Sequence, residues 1–191
     1  MTKKIQLIIG STREGRIATS VAEWIESQAI KNEDIELEVV DLKEVNLPFF
    51  NDATPPAYGP TSTDAGKAWS AKIREADGFI FLTPEYNRGY PAALKNAIDY
   101  LYAEWANKPA TIVSYGYTNG GRYASKQLNE VLDHLKVVTS EENVAVLLEG
   151  DMFNEDRSLK DVNVVFAQYE EAFQTALAHL VTADEAEAVT A

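Results

Sequence analysis

The stretch that decides the fold is IQLIIGSTREGR, at residues 5–16. Its first half is an almost continuous apolar run, which is typical of a strand buried on both faces of a sheet. Its second half combines glycines, hydroxyl side chains and arginines directly before a helical pattern. A strand that passes through such a loop into a helix indicates an α/β protein with an anion site at the helix N-terminus.

The rest of the chain repeats this alternation. The predicted strands cover residues 4–9, 35–41, 78–83, 110–115 and 143–148, and the predicted helices cover residues 17–29, 64–76, 91–101, 122–135 and 159–181. The second strand alternates apolar and charged residues, as an edge strand does. The sequence therefore predicts an α/β fold with a five-stranded parallel sheet of order 2-1-3-4-5 and helices on both faces. It predicts a single domain over residues 1–181 and a disordered acidic tail over residues 182–191.

Composition excludes several classes of function. The 191 residues carry a formal charge of −13 and include no cysteine, so disulfides, thiolate metal sites and cysteine nucleophiles are excluded. The acidic balance disfavours nucleic acids and anionic membranes as partners. No apolar run reaches the length of a signal-peptide core or a membrane span, so we expect a cytoplasmic protein. We expect no metal site, and we expect His134 and His179 to be surface or helix-end residues.

Ligands of such sheets bind beyond the carboxyl ends of the strands, so the loops after strands one, three and four are the candidate site. The first loop, residues 10–17, favours a phosphate. Arg16 and Ile17 stand where a nucleoside-triphosphate P-loop has Lys and Ser or Thr, and Thr12 replaces the second glycine of the dinucleotide fingerprint. A terminal phosphomonoester held by arginines is predicted. The alternative is a plain strand-to-helix turn.

The second and third loops suit a flat ligand. The second loop, residues 83–91, combines two prolines and a glycine with Tyr86 and Tyr90, and could hold the edge of a ring system. The third loop, residues 114–122, has glycines at 116, 120 and 121, which permit close approach of the backbone to a ligand. Packed tyrosines and an ordinary turn are the alternatives. We expect all three loops at the same edge of the sheet.

These motifs resemble those of the NAD(P)H-dependent FMN reductases, in the flavodoxin-like superfamily. The resemblance rests on GSTREGR at 10–16, TPEYN at 83–87, PAALKNAID at 91–99 and the third-loop glycines, and it covers residues 5–135. It implies a flavodoxin-like three-layer sandwich and an FMN bound without covalent attachment. It assigns phosphate contacts to Ser11, Arg13, Arg16, Ile17 and Ala18, and ring contacts to Pro84, Glu85, Tyr86, Asn87, Ser114, Gly116 and Gly120.

The resemblance also implies an activity. NAD(P)H, as co-substrate, would reduce the bound FMN, and a quinone, azo compound, metal oxyanion or free flavin would accept the electrons. The protein is expected to be a homodimer or homotetramer. We name no catalytic side chain, because hydride transfer depends mainly on how the two rings are positioned. A flavodoxin-type electron carrier and a flavin-fold binding module without NAD(P)H turnover remain the alternatives.

Overall fold

The computed structural model describes residues 1–189, with the helical backbone alone from residue 184 onward. The strands of this part of the chain pair in parallel and are Lys3–Ile9 (β1), Ile35–Asp41 (β2), Gly78–Pro84 (β3), Pro109–Gly116 (β4), Val138–Thr139 (β5) and Val144–Leu147 (β6). Their order is β2-β1-β3-β4-β5, and β6 also pairs with β4. The predicted flavodoxin-like order 2-1-3-4-5 is confirmed.

The register brings the candidate loops together. Ile9, at the end of β1, lies beside Leu82 of β3, and Leu82 lies beside Val113 of β4. On the other side, Ile9 pairs with Asp41, the last residue of the edge strand β2. Because the strands are parallel and aligned, the first, second and third loops all leave the sheet at the same edge.

The fifth position of the sheet is shared by two short strands. β5 pairs with the start of β4, at Pro109 and Ala110, whereas β6 pairs with its last four residues. Between them the Asn143 side chain accepts a hydrogen bond from the Ile112 N–H (2.9 Å), where a continuous strand would offer a carbonyl. The predicted strand at 143–148 corresponds to β6. β5 has two residues, too few to produce a periodic pattern.

Helices cover both faces of the sheet. They are Ala18–Ala29 (α1), Leu42–Val45 (α2), Asp64–Arg74 (α3), Ala92–Asp99 (α4), Arg122–His134 (α5), Val162–Val165 (α6) and Glu170–Val189 (α7). Strand residues alternate between two cores, so Ile80 and Leu82 pack with α1 and α7, whereas Phe79 and Phe81 pack with α3, α4 and α5. This is the predicted three-layer sandwich.

The C-terminal region differs from the prediction of one helix over 159–181. α6 is followed by a 3-10 turn at Ala167–Tyr169, whose Tyr169 hydroxyl bonds the Leu147 N–H on the outer side of β6 (3.0 Å). α7 then continues to Val189, because alanine and glutamate favour helix. The tail predicted to be disordered from residue 182 is therefore helical to 189, and 190–191 lie outside the described residues. The single domain over 1–181 stays a prediction.

Within residues 1–189, no helix combines the length and the hydropathy needed to cross a bilayer.

Candidate active site

The three loops meet around a cavity of about 210 Å³ at the carboxyl edge of the sheet. The first loop contributes Arg13 and Ile17, and residue Leu148 closes the side next to β6. The second loop contributes residues 84–86 and the third contributes residues 115–119. Six of the predicted site residues line this cavity: Arg13, Ile17, Pro84, Glu85, Tyr86 and Gly116.

The first loop presents an open helix N-terminus beside this cavity. α1 begins at Ala18, and its N-cap residue, Ile17, provides no side-chain hydrogen bond to the helix. No acidic residue stands in its first turn. The first N–H groups of a helix have no partner within the helix, and the helix dipole makes this end positive. The start of α1 therefore favours an anion.

Arg13 adds a positive charge that the described residues do not neutralise. The nearby carboxylates are already engaged, since Glu14 pairs with Lys43 (2.9 Å) and Glu85 accepts the Tyr123 N–H (3.1 Å). The hydrogen bond from Lys43 lowers the pKa of Glu14. Among the side chains that the structure describes, those of residues 1–183, Arg13 has no carboxylate partner, and its guanidinium makes a long hydrogen bond of 3.4 Å to the Gly15 carbonyl. Its guanidinium is therefore available to a ligand.

Arg16, in contrast, faces the body of the protein. Its Nη1 donates to the Ser11 carbonyl (2.6 Å) and to Oδ1 of Asp41 (2.9 Å), and its Nη2 donates to Oδ2 of Asp41. The Arg16 side chain is 9% exposed and that of Asp41 is 18% exposed. Ala18 is buried. The structure thus separates the two arginines that the sequence assigned to the same role.

Hydroxyl groups join the first loop to the other two. The buried Ser11 hydroxyl lies 2.7 Å from the Tyr86 hydroxyl, and it is close enough to Tyr115 to lower the pKa of that side chain. Burial raises the pKa of Tyr115, and the neighbouring Tyr86 raises it further. The Tyr115 hydroxyl therefore remains protonated at neutral pH and can donate a hydrogen bond.

The second loop contains a tight turn between Tyr86 and Gly89. Two backbone hydrogen bonds close it, from Tyr86 N to the Gly89 carbonyl (2.8 Å) and from Gly89 N to the Tyr86 carbonyl (3.0 Å). Asn87 and Arg88 have φ values of 51° and 68°, the left-handed conformation that a type I′ turn requires. Asn87 is exposed and does not line the cavity.

Contacts with α5 hold this turn in place. The Gln127 amide donates to the Arg88 carbonyl (2.9 Å), and the Arg88 guanidinium lies 4.5 Å from the centre of the Tyr123 ring. Glu85 accepts the Tyr123 N–H in the first turn of α5, where the N-cap, Gly121, has no side chain. A carboxylate at a helix N-terminus is stabilising. The Glu85 side chain thus ties the second loop to the helix that follows the third.

The third loop is shaped by its backbone. Gly120 and Gly121 have φ values of 69° and 81°, and a Cβ on Gly120 would lie 2.8 Å from the Ala145 carbonyl group. The Ser114 hydroxyl donates to the Gly120 carbonyl (2.8 Å), and both residues are buried. Ser114 and Gly120, predicted as ring contacts, therefore lie behind the cavity wall and set the course of the loop.

Five residues that line the cavity were not predicted from the sequence: Tyr115, Tyr117, Thr118, Asn119 and Leu148. Tyr117 is 67% exposed, and its ring stacks on Phe153 at 6.1 Å with an interplanar angle of 26°. The sequence did indicate that the third loop follows a strand and so lies at the ligand-binding edge of the sheet. The contact with Phe153 was not, since it joins residues 36 positions apart.

A larger cavity of about 740 Å³ lies between α4, α5 and residues 50–57. Its basic residue Lys95 pairs with both oxygens of Asp99, at 2.7 and 2.6 Å. This cavity therefore lacks an unpaired cation of the kind that Arg13 gives the smaller one. Tyr90 of the second loop lines it, but none of the residues that the resemblance assigned to the FMN site does.

Comparison with known proteins agrees with this geometry. The family model described as NADPH-dependent FMN reductase matches residues 3–150. The chain belongs to this family. An NAD(P)H-dependent FMN reductase of Schizosaccharomyces pombe is 41% identical over 153 residues, which span 79% of this chain and 76% of the relative. The predicted family is confirmed, and it is a family of oxidoreductase enzymes.

Two further proteins are similar to this chain. A 2-hydroxy-1,4-benzoquinone reductase of Burkholderia is 29% identical over 144 residues, covering 72% of this chain and 74% of the relative. The solved structure of FerB, an NAD(P)H:(acceptor) oxidoreductase of Paracoccus denitrificans, has a TM-score of 0.66 at 22% identity and covers 92% of this chain and 99% of FerB. The latter likeness shows the fold.

Proposed function

We propose that this protein binds FMN without covalent attachment and uses NAD(P)H to pass electrons through it to a small acceptor. The observation that carries the proposal is the two-sided character of the cavity. One side has the unpaired Arg13 and the open N-terminus of α1, whereas the other has aromatic rings and backbone from the second and third loops. FMN has the same two parts, a dianionic phosphate and a flat ring system.

The phosphate would bind to the first loop. The Arg13 guanidinium and the N–H groups at the start of α1 supply donors and positive charge without a metal ion. The carboxylates of Glu14, Asp41 and Glu85 are each occupied by a donor of the protein, which limits their repulsion of a dianion. The donor chemistry of this loop thus fits a phosphate monoester.

The ring would bind between the second and third loops. Pro84 and Tyr86 line the cavity together with residues 115–119, which provides apolar and aromatic surfaces together with the polar groups of Thr118 and Asn119. The tight turn at 86–89 and the left-handed glycines fix these walls before any ligand binds.

When bound, FMN supplies the redox chemistry, as it can accept a hydride from a nicotinamide and reduce a second substrate. The protein's own contribution is to bind the cofactor, to orient its ring and to leave one side of the cavity open. Tyr117, which is exposed at the cavity, would bound the space for the second ring. We assign no general acid or base.

The acceptor class stays part of the proposal: a quinone, an azo compound, a metal oxyanion or free flavin. The name of the Burkholderia relative supports a quinone. The cytoplasmic location and the homodimer or homotetramer stay predictions.

An anaerobic visible spectrum of the protein, reconstituted with FMN, tests the proposal. We expect a bound flavin band that either NADPH or NADH bleaches within seconds, and that a quinone restores. A flavin that only dithionite bleaches would indicate an electron carrier. Failure to retain FMN after reconstitution would overturn the proposal, and titration with riboflavin in parallel separates recognition of the phosphate from recognition of the ring.

A further inference from the structure

The candidate site contains a partly buried ion pair, Arg16–Asp41, that lies behind the first loop. Arg16 uses three of the five N–H donors of a guanidinium within the protein, one toward the Ser11 carbonyl and two toward the Asp41 carboxylate. Both side chains are largely buried, at 9% and 18% exposed. Arg16 does not line the cavity, whereas Arg13 does.

Arg16, one member of this pair, closes the first loop into a ring. The bond from Arg16 to the Ser11 carbonyl connects the two ends of a segment that includes the left-handed Gly15, beside which an added Cβ would meet no atom within 4 Å. Without cross-links such a segment is free to change its course, since it has few packing contacts. The bond fixes that course before a ligand arrives.

Asp41 anchors this ring to the sheet. It is the last residue of β2 and lies opposite Ile9, the residue that precedes the loop. Its Oδ1 also accepts the Lys43 N–H (2.9 Å), which caps α2. The carboxylate is therefore held by two separate donors, the Arg16 guanidinium and the Lys43 N–H. Through Arg16 it fixes the position of the first loop relative to the end of β2.

Charge balance argues against a move of Arg16 to the ligand. If Arg16 turned toward a bound phosphate, the Asp41 carboxylate would lose its counter-ion while a dianion approached. A largely buried carboxylate without its partner is strongly unfavourable. Among the described side chains, no carboxylate depends on Arg13 as its counter-ion.

We propose that Asp41 and Arg16 form a brace that positions the phosphate loop, and that Arg16 is not a phosphate ligand. This proposal rests on the proposed function, because the affinity for FMN is the quantity that indicates whether the first loop is correctly positioned. Asp41 is then a positioning residue for cofactor binding, although its own charge repels the phosphate.

The variant Asp41→Asn separates the two roles, because they predict opposite changes. As a brace partner, Asp41 is needed for FMN binding, so its neutral variant should bind FMN about ten-fold more weakly, with an unchanged affinity for riboflavin. If Arg16 were a ligand that Asp41 merely shields, removal of the carboxylate would tighten FMN binding. The measurement is titration of the apoprotein by quenching of flavin fluorescence, with thermal unfolding recorded alongside.

Arg16→Lys gives a second test that does not depend on Asp41→Asn folding. Lysine keeps the charge but cannot form the two-pronged contact with a carboxylate. A brace therefore predicts a loss of FMN affinity similar to that of Asp41→Asn and no further loss in the double variant. If Arg16 instead contacted the phosphate directly, Arg16→Lys would keep most of the FMN affinity, and the effects of Arg16→Lys and Asp41→Asn would add in the double variant.

Glu14→Gln is the matched control. It breaks the exposed pair with Lys43, which joins the same two segments, and removes the same charge. Exposed pairs contribute little, so we expect a change of less than about two-fold. Equal losses for FMN and riboflavin in Asp41→Asn would indicate a general structural role and overturn the brace, as would unchanged or tighter FMN binding. A wild-type protein that binds no FMN would instead overturn the proposed function.

Discussion

The first loop and the third loop hold the two sides of the candidate site by different means. The first is held by side-chain charges, since Arg16 joins the Ser11 carbonyl to Asp41. The third is held by backbone shape, since the left-handed Gly120 packs directly against Ala145. Charges can be altered without repacking, whereas a close-packed backbone cannot accept an added atom. The first loop should therefore lose ligand affinity selectively, and the third should lose stability.

The largest effect is expected from Gly120→Ala, compared with Gly15→Ala in the first loop. Both glycines have positive φ. An added Cβ at Gly120 would lie 2.8 Å from Ala145, whereas one at Gly15 would meet no atom within 4 Å. We expect Gly120→Ala to lower the free energy of unfolding by about 3 kcal/mol, and Gly15→Ala by about 1 kcal/mol. Chemical denaturation measures both. Equal losses would contradict the difference between the two loops.

The next effect is on cofactor affinity. Arg13→Ala should weaken FMN binding by about 2 kcal/mol, roughly 30-fold, because it removes charged hydrogen bonds to the phosphate. Riboflavin, which lacks the phosphate, should bind as it does to the wild type. Fluorescence titration at two salt concentrations measures this, with Lys67→Ala on α3 as the control for the loss of a positive charge. Parallel losses for both flavins would show that Arg13 does not recognise the phosphate.

A smaller effect is expected where a charge supports backbone shape. Glu85→Gln keeps an acceptor for the Tyr123 N–H but removes the charge at the start of α5. We expect the free energy of unfolding to fall by about 0.5 kcal/mol, with a similar small loss of affinity for FMN and riboflavin. Glu23→Gln, on the exposed side of α1, is the control. A loss confined to FMN would place Glu85 with the first loop instead.

The smallest effect comes from a charge outside both loops. Hydrogen bonds from the Ser62 side chain and backbone, and from Thr61, lower the pKa of Asp52 from 3.8 to about 2. The folded state thus favours the ionised form, so this stabilisation is complete above the unfolded pKa and disappears as pH falls through about 2. Asp52→Asn should lose less stability than the wild type over this acidic interval, as measured by thermal unfolding. Flavin affinity at neutral pH should not change.

Local sequence patterns predicted most of the sheet and of the helices around it. The apolar runs at β1, β3 and β4, in alternation with helical patterns, predicted the fold class, and with it the edge at which a ligand would bind. The break between β5 and β6 could not be predicted, because Asn143 replaces a strand carbonyl through its side chain. No periodic signal marks such a substitution.

The roles of individual side chains were harder to predict. Arg13 and Arg16 look equivalent in sequence, and only the contact with Asp41, 25 residues further along, separates them. Ser114 and Gly120 were predicted from their loop, yet they face each other behind the cavity wall. Sequence position indicates which loop a residue belongs to, whereas its direction depends on partners that are distant in the chain.

The outer edge of the sheet at β6 is a poor template for strands from other molecules. β6 has four residues, and its outward N–H at Leu147 is already bonded to the Tyr169 hydroxyl. A foreign strand would find little length and one donor fewer with which to extend the sheet. Amyloid-like growth is therefore disfavoured at this edge of the sheet.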